Sequence, residues 1–217
     1  MVMARVPGIE PVKSRLTRTI TPEMATLLYR CFLLDRVDAL VGRPEIALLV
    51  AFTPAWGRAR MQALLPSGVP LRAQASTGDL GTRVYGLLAG LLADGHPGAI
   101  AMDSDSPTLP VEHVLEAADV LARQQAEVVL GPAADGGYYL IGIRGRHPGL
   151  FQDIPWSTDQ VFERTLHIAA RHGLRTHVLP EWFDVDTGPD LRRLREDLRG
   201  AATGPPRTRR WLDAFLA

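Results

Sequence analysis

The sequence predicts a single α/β domain with a mixed, mostly parallel central sheet and helices on both faces. Three observations carry this expectation. Short apolar runs at Glu45–Phe52, Gly98–Met102 and Glu127–Leu130 have the length and continuity of strands buried on both sides. Amphipathic segments separate them, the alternation that crossover connections between parallel strands require. A chain of 217 residues with 46% hydrophobic and 22% charged residues is long enough to bury one full core.

Each element follows in order. Met1–Arg5 is the first strand; it is short for a strand that must cross a sheet, where about five to six residues is the mean, so the expectation is a clipped strand or a true start upstream of Met1. Thr21 followed by Pro22 opens a helix running to about Leu40, Asp79 opens one running to about Ala93, and Pro110 precedes a third, Val111–Arg123, each start combining a side-chain cap or a proline pre-set for the first turn. Gly131–Gly137 is rich in turn residues and Tyr138–Ile143 reads as a strand that pairs back as a hairpin and makes the sheet mixed. A helix from Thr158 to His172 is expected, with Ser157 and Gln160 as a capping box and Trp156 stapled to Val161. A strand near Thr176–Leu179 and a helix ending at Arg199 complete the domain, residues 1–199. Gly200–Pro206 reads as a linker, and Arg207–Ala217 as a short basic amphipathic helix suited to packing or to a homodimer contact.

Composition excludes several functions. Twenty-four basic residues balance 24 acidic ones, so there is no global field for nucleic acid, and a substrate must be recognised locally. The longest apolar run, Ile46–Phe52, is far below the roughly 20 residues of a membrane span. Cys31 is the one cysteine and no leader pattern is seen, which points to a reducing cytoplasm. The six histidines show no zinc-ligand spacing, and no nucleophile motif of the Ser/His/Asp kind occurs. Twenty-three of the basic residues are arginine and none of the residues is asparagine, as high-GC coding would produce. Against that bias the single lysine, Lys13, stands out: a compact ammonium suits a phosphate approached closely, where a planar guanidinium needs room.

In open α/β sheets ligands sit beyond the carboxyl ends of the strands, and the candidate residues fall there. The loop from Arg5 to Leu16 sets Pro7, the backbone near Gly8, Lys13 and Arg15 at the end of the first strand. It reads either as a phosphate-gripping loop, though without P-loop spacing, or as a plain Pro/Gly turn. Asp103-Ser-Asp105-Ser-Pro107-Thr-Leu109 directly follows the strand Gly98–Met102. In extended chain Asp103 and Asp105 would face one side and hold Mg²⁺ or Mn²⁺ against a diphosphate; the alternative is a polar turn that caps the next helix. Asp135-Gly136-Gly137 is a hairpin turn in either case, with glycines that admit a ligand close to the backbone and an aspartate able to ligate metal or take a proton. Gly78-Asp79-Leu-Gly81 opens a helix whose free amides could face a phosphate or base. Asp184-Val-Asp186-Thr187 is mainly a helix-start signature, with Asp184 and Asp186 as further candidates for a metal or substrate contact. Trp156 could stack on a sugar or serve the core.

Taken in order, Pro7-Gly8, Lys13-Ser-Arg15-Leu16, Gly78-Asp79-Leu-Gly81, Asp103 to Leu109, Gly131-Pro132 to Gly142, Ile154-Pro-Trp-Ser-Thr158 and Asp184-Val-Asp-Thr187 resemble one bacterial family, selenodomain-associated transferase 1, formerly a domain of unknown function. The resemblance spans about residues 1–195 and implies the glycosyltransferase-A fold of the nucleotide-diphospho-sugar transferases. It implies a nucleotide over the first strand, bound by Pro7, Gly8, Lys13, Arg15, Gly78, Asp79, Gly81 and Asp103, with a divalent metal on Asp103 and Asp105. The first strand is shorter than the family's, and Ser14 stands where threonine is usual.

Two reactions fit these residues. In glycosyl transfer from a nucleotide-sugar to a small-molecule acceptor, the metal, Lys13 and Arg15 neutralise the leaving diphosphate. Asp135 is then the base, and Gly136, Gly137 and Trp156 border the substrate. In nucleotidyl transfer the same groups hold a triphosphate, and a phosphate or carboxylate attacks the α-phosphorus. Asp105-x-Pro107-x-Leu109 resembles the metal segment of molybdenum-cofactor and phospholactate nucleotidyltransferases, whereas Asp103-x-Asp105 resembles glycosyltransferases and tips the expectation toward glycosyl transfer. A nucleotide-binding module without turnover is the third alternative.

Overall fold

A computed structural model describes residues 1–216; Ala217, included above in the terminal helix, lies outside them. In chain order the elements are β1 (Val2–Arg5), α1 (Pro22–Leu40), β2 (Val50–Thr53), α2 (Arg58–Leu64), β3 (Leu71–Ala73), α3 (Leu80–Ala93), β4 (Ala99–Met102), α4 (Val111–Ala122), β5 (Val128–Pro132), β6 (Tyr138–Ile143), α5 (Val161–Arg171), β7 (Thr176–Val178), α6 (Gly188–Gly200) and α7 (Pro206–Phe215). The strands form one seven-stranded sheet in the order β3-β2-β1-β4-β6-β5-β7. It is parallel except for β6, which runs antiparallel to β4 and β5, so the α/β architecture with a mixed, mostly parallel sheet is as expected.

Alternation along the strands sorts two cores. Val2, Ala4, Val50 and Phe52 pack under α1, α2 and α4, while Ala51, Ala99, Ala101 and Ile141 pack under α3 and α5. A third cluster joins Leu28 and Phe32 of α1 to Leu191, Leu194, Trp211 and Leu212 of α6 and α7. Three of the expected helix starts form with their caps. Thr21 accepts from the Met24 amide at 3.3 Å, Asp79 Oδ1 accepts from the Thr82 amide at 2.8 Å, and Thr187 with Asp190 makes a reciprocal capping box.

Other expectations are corrected. β2 begins at Val50, not Glu45, because residues 45–49 alternate between exposed and half-buried and serve as the lead-in. α5 begins at Val161 without a side-chain cap, and the Ser157/Gln160 capping box is not made. Ser157 is in the left-handed region at φ +66°, and the Thr158 hydroxyl donates to the Pro155 carbonyl at 2.7 Å. The helix start is held from outside instead, by the Phe162 amide donating to the Gly136 carbonyl at 2.9 Å. α2 and β3, seven and three residues long, are too short to show a period in sequence. α7 packs on α1 of its own chain, where Asp35 accepts from the amides of Arg207 and Thr208 at 3.0 and 2.8 Å. Among the described residues no helix is long and apolar enough to cross a membrane.

Candidate active site

The carboxyl ends of β1, β2, β3 and β4 open onto a cleft of about 500 Å³, where the order β2-β1-β4 brings together loops far apart in sequence. Its floor includes Ala4, Tyr29, Thr53 and Gln74, and its polar wall Lys13, Arg15, Asp103, Asp105 and Asp186. Lys13 is the centre of that wall. Its side chain is 3% exposed, with Nζ 2.7 Å from Asp186 Oδ1 and 3.1 Å from Asp105 Oδ2. Burial alone would lower its pKa, but the charges of Asp105 and Asp186 and the hydrogen bonds to both hold it above the ordinary range. The Lys13 backbone is left-handed at φ +52°, a conformation that costs a non-glycine residue on the order of 1–2 kcal/mol, and the turn is closed by the Leu16 amide on the Lys13 carbonyl at 2.9 Å. Arg15 stands at the exposed rim, 3.7 Å from Asp186 Oδ2.

The chain bends at residues 104–105 instead of continuing extended, and both strand-end aspartates line the cleft. Asp103 is tied into the bend: its Oδ2 accepts from Ser106 Oγ at 2.9 Å and its Oδ1 from the Asp105 amide at 3.3 Å. Burial and the charge of Asp105 push its pKa up to about 7, against the pull of Ser106, Arg36 and Lys13. Arg36, on α1 and 2% exposed, braces this bend from below by donating to the Ser106 carbonyl at 2.5 Å. Asp105 faces the cleft, and its carbonyl accepts from the Val185 amide at 3.0 Å, which carries Asp184 and Asp186 to the same place. Asp184 is pushed up to about 6 by burial and then by the charges of Asp186 and Asp135. Asp105 and Asp186 thus contact the ammonium, and Asp103 and Asp184 feel its charge.

The remaining candidates divide. Gly78 is left-handed at φ +87° and Asp79 is occupied as the α3 cap, while Leu80 and Arg83 line the cleft. Gly81 lies away from it, beneath Trp156, whose ring leaves a Cβ at Gly81 only 2.5 Å away. Trp156 stacks edge-on to Tyr138 at 6.2 Å and belongs to the α3/α5 core. Gly8, left-handed at φ +75°, is covered by the Arg60 guanidinium, and Pro7 is buried. Asp135 is exposed and accepts from the Gly137 amide at 2.9 Å; Gly136 is required by its φ of +88° and by the Asp159 backbone against it.

Sequence reasoning missed four contributors. Gln74 is buried and donates to the carbonyls of Ala4 and Ala51 at 3.3 and 2.9 Å, tying β3 to β1. Arg83 donates to Gln74 Oε1 at 3.5 Å. Tyr29 joins the hydroxyl of Ser104 at 2.9 Å and accepts from the Arg5 amide, with its pKa raised to about 12 by burial and Asp105. Arg36, an arginine inside an apolar helix stripe, was the one visible signal.

A divalent metal fits the donor set in part. Hard carboxylate oxygens from Asp105 and Asp186 suit Mg²⁺ or Mn²⁺, and Mg²⁺ is commonly held by one or two carboxylates completed by phosphates and water. Consistent with an incomplete cage, no group of three or more His, Cys, Asp or Glu among the described residues is arranged to hold a metal alone.

Comparison with known proteins supports the same fold. A family model described as an uncharacterized protein conserved in bacteria (DUF2064) matches residues 36–158. A provisionally assigned nucleotide-diphospho-sugar transferase from Desulfovibrio desulfuricans G20 is 31% identical, with 98% of this chain and 94% of that chain covered and a TM-score of 0.89. CMP:2-keto-3-deoxy-manno-octonic acid synthetase complexed with CTP is 13% identical over 91% of this chain and 96% of that one, TM-score 0.56. The inositol-1-phosphate CTP transferase from T. maritima is 12% identical over 93% and 97%, TM-score 0.53. At the two lower identities the likeness is one of fold. No curated protein matches the chain in sequence.

Proposed function

We propose that this chain, which belongs to the bacterial DUF2064 family, is a divalent-metal-dependent transferase that works on a nucleotide-activated substrate held over β1. The observation that carries the reading is the buried Lys13 ammonium between Asp105 and Asp186, with Arg15 at the rim. Such an arrangement offers cations to a diphosphate and carboxylates to the metal that accompanies it. The metal set is then Asp105 with Asp186, and Asp103 acts by holding the bend through Ser106 and the Asp105 amide. A bound Mg²⁺ or Mn²⁺ would supply charge neutralisation at the phosphate oxygens.

The nucleotide lies along Ala4, Thr53 and Gln74, with Arg83 and the start of α3 at its base end. In glycosyl transfer, the reading supported by the 31%-identical relative, an acceptor oxygen bonds to the anomeric carbon as the bond from that carbon to the diphosphate oxygen breaks. The electron pair leaves with the nucleoside diphosphate, whose charge Lys13 and Arg15 receive. Asp135 takes the acceptor's proton, a role open to an exposed carboxylate that spends one oxygen on the Gly137 amide. Gly136 and Gly137 let the acceptor approach the hairpin backbone. Gly81 and Trp156 support α3 from behind and do not touch the substrate.

One observation favours a second reading. Asp103 lines the cleft but spends both carboxylate oxygens on Ser106 and the Asp105 amide, which leaves Asp105 as the strand-end aspartate paired with Lys13, as suffices for nucleotidyl transfer. There a phosphate or carboxylate oxygen bonds to the α-phosphorus, the bond to the bridging oxygen of the β-phosphate breaks, and pyrophosphate leaves. Thermal stabilisation by nucleoside diphosphates, triphosphates and nucleotide-sugars, each with Mg²⁺, Mn²⁺ or chelator, tests and separates these. A ligand at 100 times its Kd adds about 2.7 kcal/mol. Metal-dependent stabilisation by one diphosphate and its sugar conjugate is expected for glycosyl transfer and by a triphosphate for nucleotidyl transfer. Silence across the panel refutes both. Asp105→Ala should abolish the metal-dependent part and leave a normal melting transition.

A further inference from the structure

The cation that sits between Asp105 and Asp186 belongs to the protein, and its surroundings give it no second place to go. Lys13 Nζ is 5.9 Å from the ring centroid of Phe32, a residue that is fully buried in the α1/α6/α7 cluster. On the Phe32 side the protein is therefore apolar, and the contacting acidic pair, with Asp103 and Asp184 beyond it, and the open cleft are its remaining neighbours. The loop that carries it is turned by the left-handed Lys13 backbone itself, so the side chain is aimed by the turn and not by a helix or strand.

We propose that Lys13 occupies the metal seat of the empty protein, so that the divalent cation enters only together with the phosphates that draw Lys13 away. The inference rests on the reading given above and extends it to the order and coupling of binding. A metal arriving alone must displace an ammonium already 2.7 and 3.1 Å from two carboxylates. It would push that nearly unexposed ammonium off the two carboxylates that contact it, a loss that buried ion pairs resist strongly. A diphosphate entering the cleft changes the balance, because its oxygens offer Lys13 a new partner at the open side and supply the remaining ligands that Asp105 and Asp186 lack for a hard cation. Metal and nucleotide then strengthen one another by the same factor, as linkage requires. The device also accounts for a lysine in a chain that otherwise uses arginine. A compact ammonium can leave one pair of oxygens and meet another within the same small space, whereas a forked guanidinium spans both.

Binding of Mn²⁺ alone, followed by the loss of its free-ion electron paramagnetic resonance signal, tests this without any turnover. The comparison uses the full chain, its Lys13→Met variant and the double variant Lys13→Met/Asp186→Asn. Wild type should take up Mn²⁺ weakly without nucleotide, Lys13→Met should bind it at least tenfold more tightly, and the added Asp186→Asn should return it to the wild-type level. Because the expected change is a gain of binding, a variant that merely unfolds cannot imitate it. Equal Mn²⁺ affinity in wild type and Lys13→Met overturns the proposal, as does a gain that Asp186→Asn leaves intact. Either result can coexist with metal-dependent nucleotide binding by the wild type, whereas absence of that binding across the nucleotide panel is what defeats the transferase reading.

Discussion

Two buried charges beside α1 illustrate how differently this fold treats charge. Asp35, with a side chain 1% exposed, is met by two backbone amides at the start of α7, at 3.0 and 2.8 Å. Its partners are fixed by a helix, and no cavity ligand is needed to complete them. Lys13, 3% exposed, is met by two carboxylates that are themselves about one third exposed at the wall of an open cleft. Its partners come from the β4–α4 and β7–α6 loops, and they remain reachable from solvent. A buried charge satisfied by backbone on a rigid element serves stability; one shared among side chains beside a cavity is free to be re-partnered by a ligand.

Substitutions should separate the two. Asp35→Ala leaves two buried amides without acceptors, each costing about 1–3 kcal/mol, so a loss near 3 kcal/mol in urea unfolding is expected with nucleotide stabilisation unchanged. Equal loss of nucleotide binding would erase the distinction drawn here. Gly81→Ala forces a Cβ to 2.5 Å from Trp156 and should cost about 1–3 kcal/mol by overpacking, with the residual binding at the cleft intact. Lys13→Arg keeps the charge but not the fit; its melting temperature should stay close to wild type while affinity for a metal–nucleotide falls roughly tenfold, equivalent to about 1.4 kcal/mol.

The smallest effect lies at the far edge of the sheet. Glu127, on the residue before β5, accepts from the Arg175 backbone amide at 2.9 Å and its Nε at 3.1 Å, and hydrogen bonding to Arg175 lowers its pKa to about 2. A folded-state value below the unfolded one means the contribution is present above pH 4.5 and is lost as pH falls toward 2. Arg175 is exposed and solvent screens the pair, so Glu127→Gln should lower the melting temperature only slightly at neutral pH, with the difference shrinking as pH falls through about 2.

Legibility followed the physics of each signal. β4, β6, α1, α3 and α6 were readable because their information is local: an apolar run, a proline, a cap within three residues. α2 and β3 were not, being shorter than the period that would announce them. The α5 start was misplaced because the donor that matters, the Phe162 amide, is satisfied by Gly136 from another element, and capping rules see only neighbours in sequence.

The same division holds at the site. The sequence by itself determined the fold class, the strand-end loops and the residue types, with Lys13, Arg15 and Asp105 among them, since element type and loop placement follow from local pattern. It could not decide that Asp103 spends its oxygens on Ser106 and the Asp105 amide, or that Asp186, 81 residues beyond Asp105, becomes its companion around Lys13. Those facts depend on a bend at residues 104–105 braced by Arg36 of α1 and on the Val185 amide reaching the Asp105 carbonyl. Distances of a few ångströms between segments remote in the chain are set by packing, and only the tertiary structure contains them.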